Sequence, residues 1–166
     1  YASGVNAVNI KNCTIEKGVV IGDDGTWGDL GDTSWGYPFV LGEDFEEPFV
    51  TEKNFTHKDC IGSFAGAFNG IITNCVSYAT VYGNQFVGGL VGMKGQSMGP
   101  CSIINSAFLG EIKATGQRVG GIIGGGYIAP SAPQTPPASV TNCYVAADIT
   151  GSTKVSGICG AGYTIV

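Results

Sequence analysis

The sequence predicts an all-β fold, a parallel β-solenoid of about four coils that carries one aromatic, acidic insertion. Three observations predict it. Of the 166 residues, 28 are Gly and 7 are Pro, so long helices are disfavoured. A two-block unit recurs four times along the chain. Within each unit the apolar residues alternate with a period near two, as in short half-buried strands.

The first block is built on Asn-Cys, at Asn12-Cys13, Asn74-Cys75 and Asn142-Cys143, with Asn105-Ser106 as a fourth copy. An aliphatic residue precedes each Asn by two positions: Ile10, Ile72, Ile103 and Val140. Another follows by seven: Val19, Val81, Ile112 and Ile149. The second block reads IGSFAG at 61–66, VGGLVG at 87–92, VGGIIG at 119–124 and VSGICG at 155–160. From Asn to the closing Gly the separation is 18, 19 and 18 residues in the last three copies and 54 in the first. The first copy therefore holds an insertion, residues 22–58, placed after its first strand. The remaining length variation falls after each closing Gly, which predicts loops protruding at one corner of a stack. The Pro-rich stretch 129–139 is one such loop, expected as exposed coil.

In a parallel solenoid, equivalent residues stack about 4.8 Å apart. Asn12, Asn74, Asn105 and Asn142 should then line one edge as a ladder, because Asn tolerates the left-handed backbone of a tight turn. Ile72, Cys75, Ser77 and Val81 should point inward, with Thr73 and Val76 outward. Ile10, Ile72, Ile103 and Val140 should be buried together, as should Leu90, Ile122 and Ile158 with Phe64. Cys13, Cys75 and Cys143 share one stacked position, where a small apolar side chain is wanted, so buried free thiols are expected. Cys13 and Cys75 could also come within disulfide range, although the ladder does not require the bond. Cys159 joins the interior set, whereas Cys60 and Cys101 fall outside it.

Composition excludes several classes. With 43% hydrophobic and 13% charged residues, the chain is too apolar for a disordered segment. The eight Lys and Arg are scattered and the net charge is −5, so there is no basic footprint for nucleic acid. No apolar run reaches the roughly 18 residues of a membrane-spanning helix. The single His57 belongs to no cluster of Cys and His that would make a structural zinc site, and neither His-Glu-x-x-His nor a Ser-His-Asp pattern is recognisable. The first residue is Tyr1 and the sequence stops at Val166 without a tail, which reads as a piece of a longer or processed protein. Residues 1–166 are expected to form one domain.

The repeat resembles that of the GLUG-repeat family. The resemblance rests on Asn-Cys-Tyr-x-x-x-x-x-Ile-x-Gly followed by Val-Gly-Gly-Leu-Val-Gly. Matching stretches are 74–92, 105–124 and 142–160, with 12–22 plus 61–66 as a split copy. It implies an extracellular, secreted or surface-attached bacterial protein. In similar proteins, such as metallopeptidases and large glycosidases, these repeats are accessory regions. The peptidase activity is not implied, for want of its metal motif.

The insertion concentrates the chemistry. Residues 22–57 hold nine of the thirteen acids against one base, Lys53, for a local charge near −8. They also hold seven of the seventeen aromatics, including both tryptophans. Three readings apply. The aromatics could pack on the solenoid as a flap or end cap, shielding the N-terminal side. Trp27, Trp35, Tyr37 and Phe39 could instead stack on sugar rings while carboxylates accept hydroxyl hydrogen bonds, giving a glycan or protein ligand site. Asp23, Asp24, Asp29 and Asp32, on a turn-rich segment, could hold calcium, the one cofactor the sequence suggests. No pair of acids is singled out by spacing for acid–base catalysis. The reading is a non-catalytic extracellular module, either adhesin-like or a spacer. The alternatives are an accessory region of a glycan-active enzyme, or a subunit stacking end to end through its open coils.

Overall fold

The computed structural model describes residues 8–22, 59–94, 101–126 and 138–161. Within them the chain winds through four coils of five short strands. The first coil is β1 (Val8–Lys11), β2 (Thr14–Ile15), β3 (Val20–Ile21), β4 (Ile61–Gly62) and β5 (Ala65–Phe68). The second is β6 (Gly70–Thr73), β7 (Val76–Ser77), β8 (Thr80–Gly83), β9 (Val87–Gly88) and β10 (Val91–Lys94). The third is β11 (Cys101–Ile104), β12 (Ala107–Phe108), β13 (Glu111–Ala114), β14 (Gln117–Gly120) and β15 (Ile123–Gly126). The fourth is β16 (Ala138–Thr141), β17 (Tyr144–Val145), β18 (Asp148–Thr150), β19 (Thr153–Ser156) and β20 (Cys159–Ala161). Equivalent strands stack into five four-stranded parallel sheets, the first in the order β1-β6-β11-β16. The predicted parallel solenoid of four coils is the observed fold.

Left-handed residues turn the chain at two corners of every coil. The predicted Asn ladder forms the first, with φ of 55°, 54°, 49° and 53° at Asn12, Asn74, Asn105 and Asn142. Asn12, Asn74 and Asn105 each donate their backbone N–H to the next coil, to the carbonyls of Thr73, Ile104 and Thr141. Side-chain amides add Asn74 Nδ2 to Asn12 Oδ1 and Asn142 Nδ2 to Asn105 Oδ1, both at 3.3 Å. The second corner uses Cys60, Phe86, Arg118 and Lys154, with φ of 57°, 54°, 62° and 55°. None of these types favours that region, and the sequence did not announce this column. The glycine block makes the next bend by close approach. A Cβ on Gly88 or Gly120 would overlap the carbonyl oxygen of Val91 or Ile123 in the same coil.

The interior follows the predicted register. Ile72, Ile103, Leu90 and Ile122 are fully buried, and Ile10, Val140, Phe64 and Ile158 pack against them from the outer coils. Cys75, Ser77 and Val81 point inward, while Thr73 and Val76 are only partly buried. Ser77 lies in register with Phe108, so a small side chain makes room for a large one.

Four expectations are corrected. The insertion leaves after β3, the third strand of the first coil, not after its first. Val19 is exposed, and Ile21 takes the interior place opposite Val81. Two extra residues at the preceding corner shift the first coil out of the Asn-plus-seven rule. Cys101 is fully buried in the core, in register with Gly70 and Ala138. Of the three stacked cysteines only Cys75 is buried. Cys13 is exposed and Cys143 half-buried, because among the described residues the first and fourth coils have a neighbouring coil on one side only. The cap role of the insertion and the Pro-rich loop lie almost wholly outside the described residues.

Candidate ligand-binding groove

The corner between the third and fourth strands of each coil carries polar residues in the last three coils. In the second coil it carries Asn84 and Gln85, in the third Gly116 and Gln117, and in the fourth Ser152 and Thr153. These six residues line one open groove of about 390 Å3. That volume lies within the roughly 300–1,000 Å3 of small-molecule sites.

The stack fixes the groove's backbone. Gly116 N–H donates to Asn84 O at 2.9 Å, Ser152 N–H to Gly116 O at 2.8 Å and Phe86 N–H to Gln117 O at 3.1 Å. The third coil has one residue more here than its neighbours, which explains its separation of 19 rather than 18. Gly116 fits because a Cβ there would meet Asn84 Oδ1 at 2.5 Å. Thr115 Oγ1 donates to that same oxygen at 3.2 Å. The buried Asp59 of the first coil anchors two of the lining residues. Its carboxyl accepts from Asn84 Nδ2 at 2.9 Å, Gln85 N at 3.2 Å and Gln85 Nε2 at 3.4 Å. Beside the groove, the Arg118 guanidinium lies 4.7 Å from the centre of the Phe86 ring, a cation–π contact between coils. Burial lowers the Arg118 pKa from its ordinary value, but a guanidinium stays charged at neutral pH.

The groove and the insertion share one corner. The insertion leaves after Gly22, whose φ is +92° and whose Cβ, if present, would overlap the Tyr82 carbonyl. The chain returns at Asp59, which holds Asn84 and Gln85. Trp27, Trp35, Tyr37, Phe39, Asp23, Asp24, Asp29 and Asp32 lie outside the described residues, so their sugar-binding and calcium roles stand as expectations. Among the described residues, no three His, Cys, Asp or Glu side chains gather where a metal ion could be held. The groove itself was missed from sequence. Its signal is a polar pair or triplet ahead of each glycine block, Asn84-Gln85, Thr115-Gly116-Gln117 and Ser152-Thr153. What the lining offers is amide and hydroxyl hydrogen bonding, with side chains that both donate and accept.

This architecture defines a repeat module of the parallel β-solenoid class. The family model described as the GLUG motif matches residues 115–150. That match runs one full turn, from the groove corner of the third coil to the end of β18, and falls within the repeat that the sequence resembles. No curated protein and no solved structure matches the chain. Among the described residues no helix is long and apolar enough to cross a membrane.

Proposed function

We propose that this chain is a non-catalytic extracellular module that binds neutral glycans along the groove. One observation carries the reading: a groove lined by amides and hydroxyls opens at the corner from which the aromatic insertion springs. Sugar hydroxyls need partners that donate and accept, which Asn84, Gln85, Gln117, Ser152 and Thr153 supply. Flat aromatic faces suit the apolar faces of sugar rings, and Trp27, Trp35, Tyr37 and Phe39 belong to the adjoining segment. The acidic insertion repels anionic polymers, which favours neutral ones. The coils set the lining groups at the inter-strand spacing of about 4.8 Å, a repeat that suits an extended polymer lying along the stack. The extracellular setting follows the GLUG resemblance.

A glycan array on the intact chain tests the reading. Wild type should retain neutral polysaccharides over acidic ones. Gln117→Ala should weaken retention about two- to tenfold, the worth of one hydrogen bond. Trp27→Ala with Trp35→Ala should weaken it further. Retention unchanged in both variants, or absent in wild type, would overturn it.

A further inference from the structure

We propose that Cys13 and Cys75 form a redox-active dithiol across the first two coils, whose oxidation staples the first coil to the second at the Asn corner. The two residues occupy one position in adjacent coils, each directly after a left-handed Asn. Register is fixed on both sides of them, by Lys11 opposite Thr73 and Thr14 opposite Val76. Val76 N–H donates to Cys13 O at 3.0 Å, so the backbones are bonded at the cysteines themselves. In-register parallel neighbours lie about 4.8 Å apart, inside the Cα range of roughly 4.4–6.8 Å for disulfides.

The side chains agree. Cys13 Sγ lies 3.2 Å from Lys11 O, and Cys75 Sγ lies 3.3 Å from the equivalent Thr73 O. Cys75 Sγ also comes within 3.8 Å of Ile10 O, a carbonyl of the first coil. The next coil places Ser106 at this position, its Oγ accepting from Cys75 N at 3.1 Å. The column therefore pairs Cys75 with Cys13 on one side and a hydroxyl on the other. Cys13 is exposed, open to a small oxidant.

A low-molecular-weight disulfide such as glutathione disulfide is the oxidant. The Cys13 thiolate attacks one of its sulfurs, forming a mixed disulfide and releasing one glutathione thiolate. The Cys75 thiolate then attacks Cys13 Sγ, forming the Cys13–Cys75 bond and releasing the second. Two electrons pass from the protein thiols to the oxidant, and the two protons go to the released thiolates. Burial raises the Cys75 pKa, so the second step should quicken with rising pH. The closed loop spans residues 13–75, so the bond would tie the exposed first coil covalently to the second.

The test oxidises the intact chain with glutathione disulfide and maps peptides without reduction. The expected result is a linked pair containing Cys13 and Cys75, with a melting temperature roughly 10 °C higher that dithiothreitol reverses. Cys13→Ser, which copies the residue native to the third coil, should fold and show no oxidation-dependent shift. Alkylation of both Cys13 and Cys75 after oxidation, or linkage of either to another cysteine, would overturn the proposal.

Discussion

Asn12, Asn74, Asn105 and Asn142 do two jobs at once: they adopt a left-handed turn, and two pairs of them bond amide to amide between coils. That combination explains why the residue recurs and why it was legible, since few side chains tolerate this backbone. Asn74→Ala should cost about 1–3 kcal/mol through strain and the lost amide contact, whereas Asn74→Gly should lose less because Gly accepts the turn. Urea denaturation checks this, and equal losses in both variants would contradict it. The second left-handed column was illegible for the opposite reason. Phe86, Arg118 and Lys154 carry no local preference for the turn, so stacking imposes it. The buried thiols give a further residue-scale expectation. Burial pushes Cys60 and Cys101 up to about 12 from 9.0, with Asp59 adding to the effect at Cys60. The folded chain then holds more protons than the unfolded one between pH 9 and 12, so this stabilisation is complete below about pH 9 and is lost as pH rises towards 12. Lys94 works the other way below its ordinary value of 10.5, because burial lowers its pKa. In a pH series of melting curves, Cys101→Ala should flatten the alkaline loss, and Ala138 shows that alanine fits this column. An equally steep loss would contradict the assignment.

Elements were legible wherever a repeated letter marks a repeated position. The Asn-Cys and glycine blocks gave the coils, their register and the interior set around Ile72, Ile103, Leu90 and Ile122. The error at Val19 has a simple origin. Two extra residues at a corner reverse nothing in composition, yet they move the inward place to Ile21. Cys101 was missed because its partners in register, Gly70 and Ala138, share no letter with it. The register makes its own prediction. Leu90→Ala should cost about 2–5 kcal/mol, and Leu90→Asp should unfold the neighbouring coils, since a charge there has no partner in a narrow core. Wild-type melting in Leu90→Asp would refute the packing.

At the scale of the molecule, the two terminal coils carry all the exposed large apolar side chains found among the described residues: Val8, Val19, Val20, Tyr144 and Val155. Val155 falls in the same column as Val87 and Val119, both fully buried, and it is exposed because no further described strand lies on it. Sedimentation should therefore show association that grows with concentration, and a strict monomer at millimolar concentration would count against open ends. The groove is a whole-molecule feature in the same sense. Asn, Gly and Ser fill one of its rows and Gln, Gln and Thr the other, so no repeated letter exposes it, and only stacking brings its six residues together. Its shared corner with the insertion joins the site read from sequence to the one seen in the fold. Amide chemical-shift mapping during titration with a neutral polysaccharide tests that junction most directly. The account predicts shifts concentrated at Asn84, Gln85, Gly116, Gln117, Ser152 and Thr153, together with the indole signals of Trp27 and Trp35. Shifts confined to the Asn12–Asn142 edge, or none at saturating ligand, would contradict it.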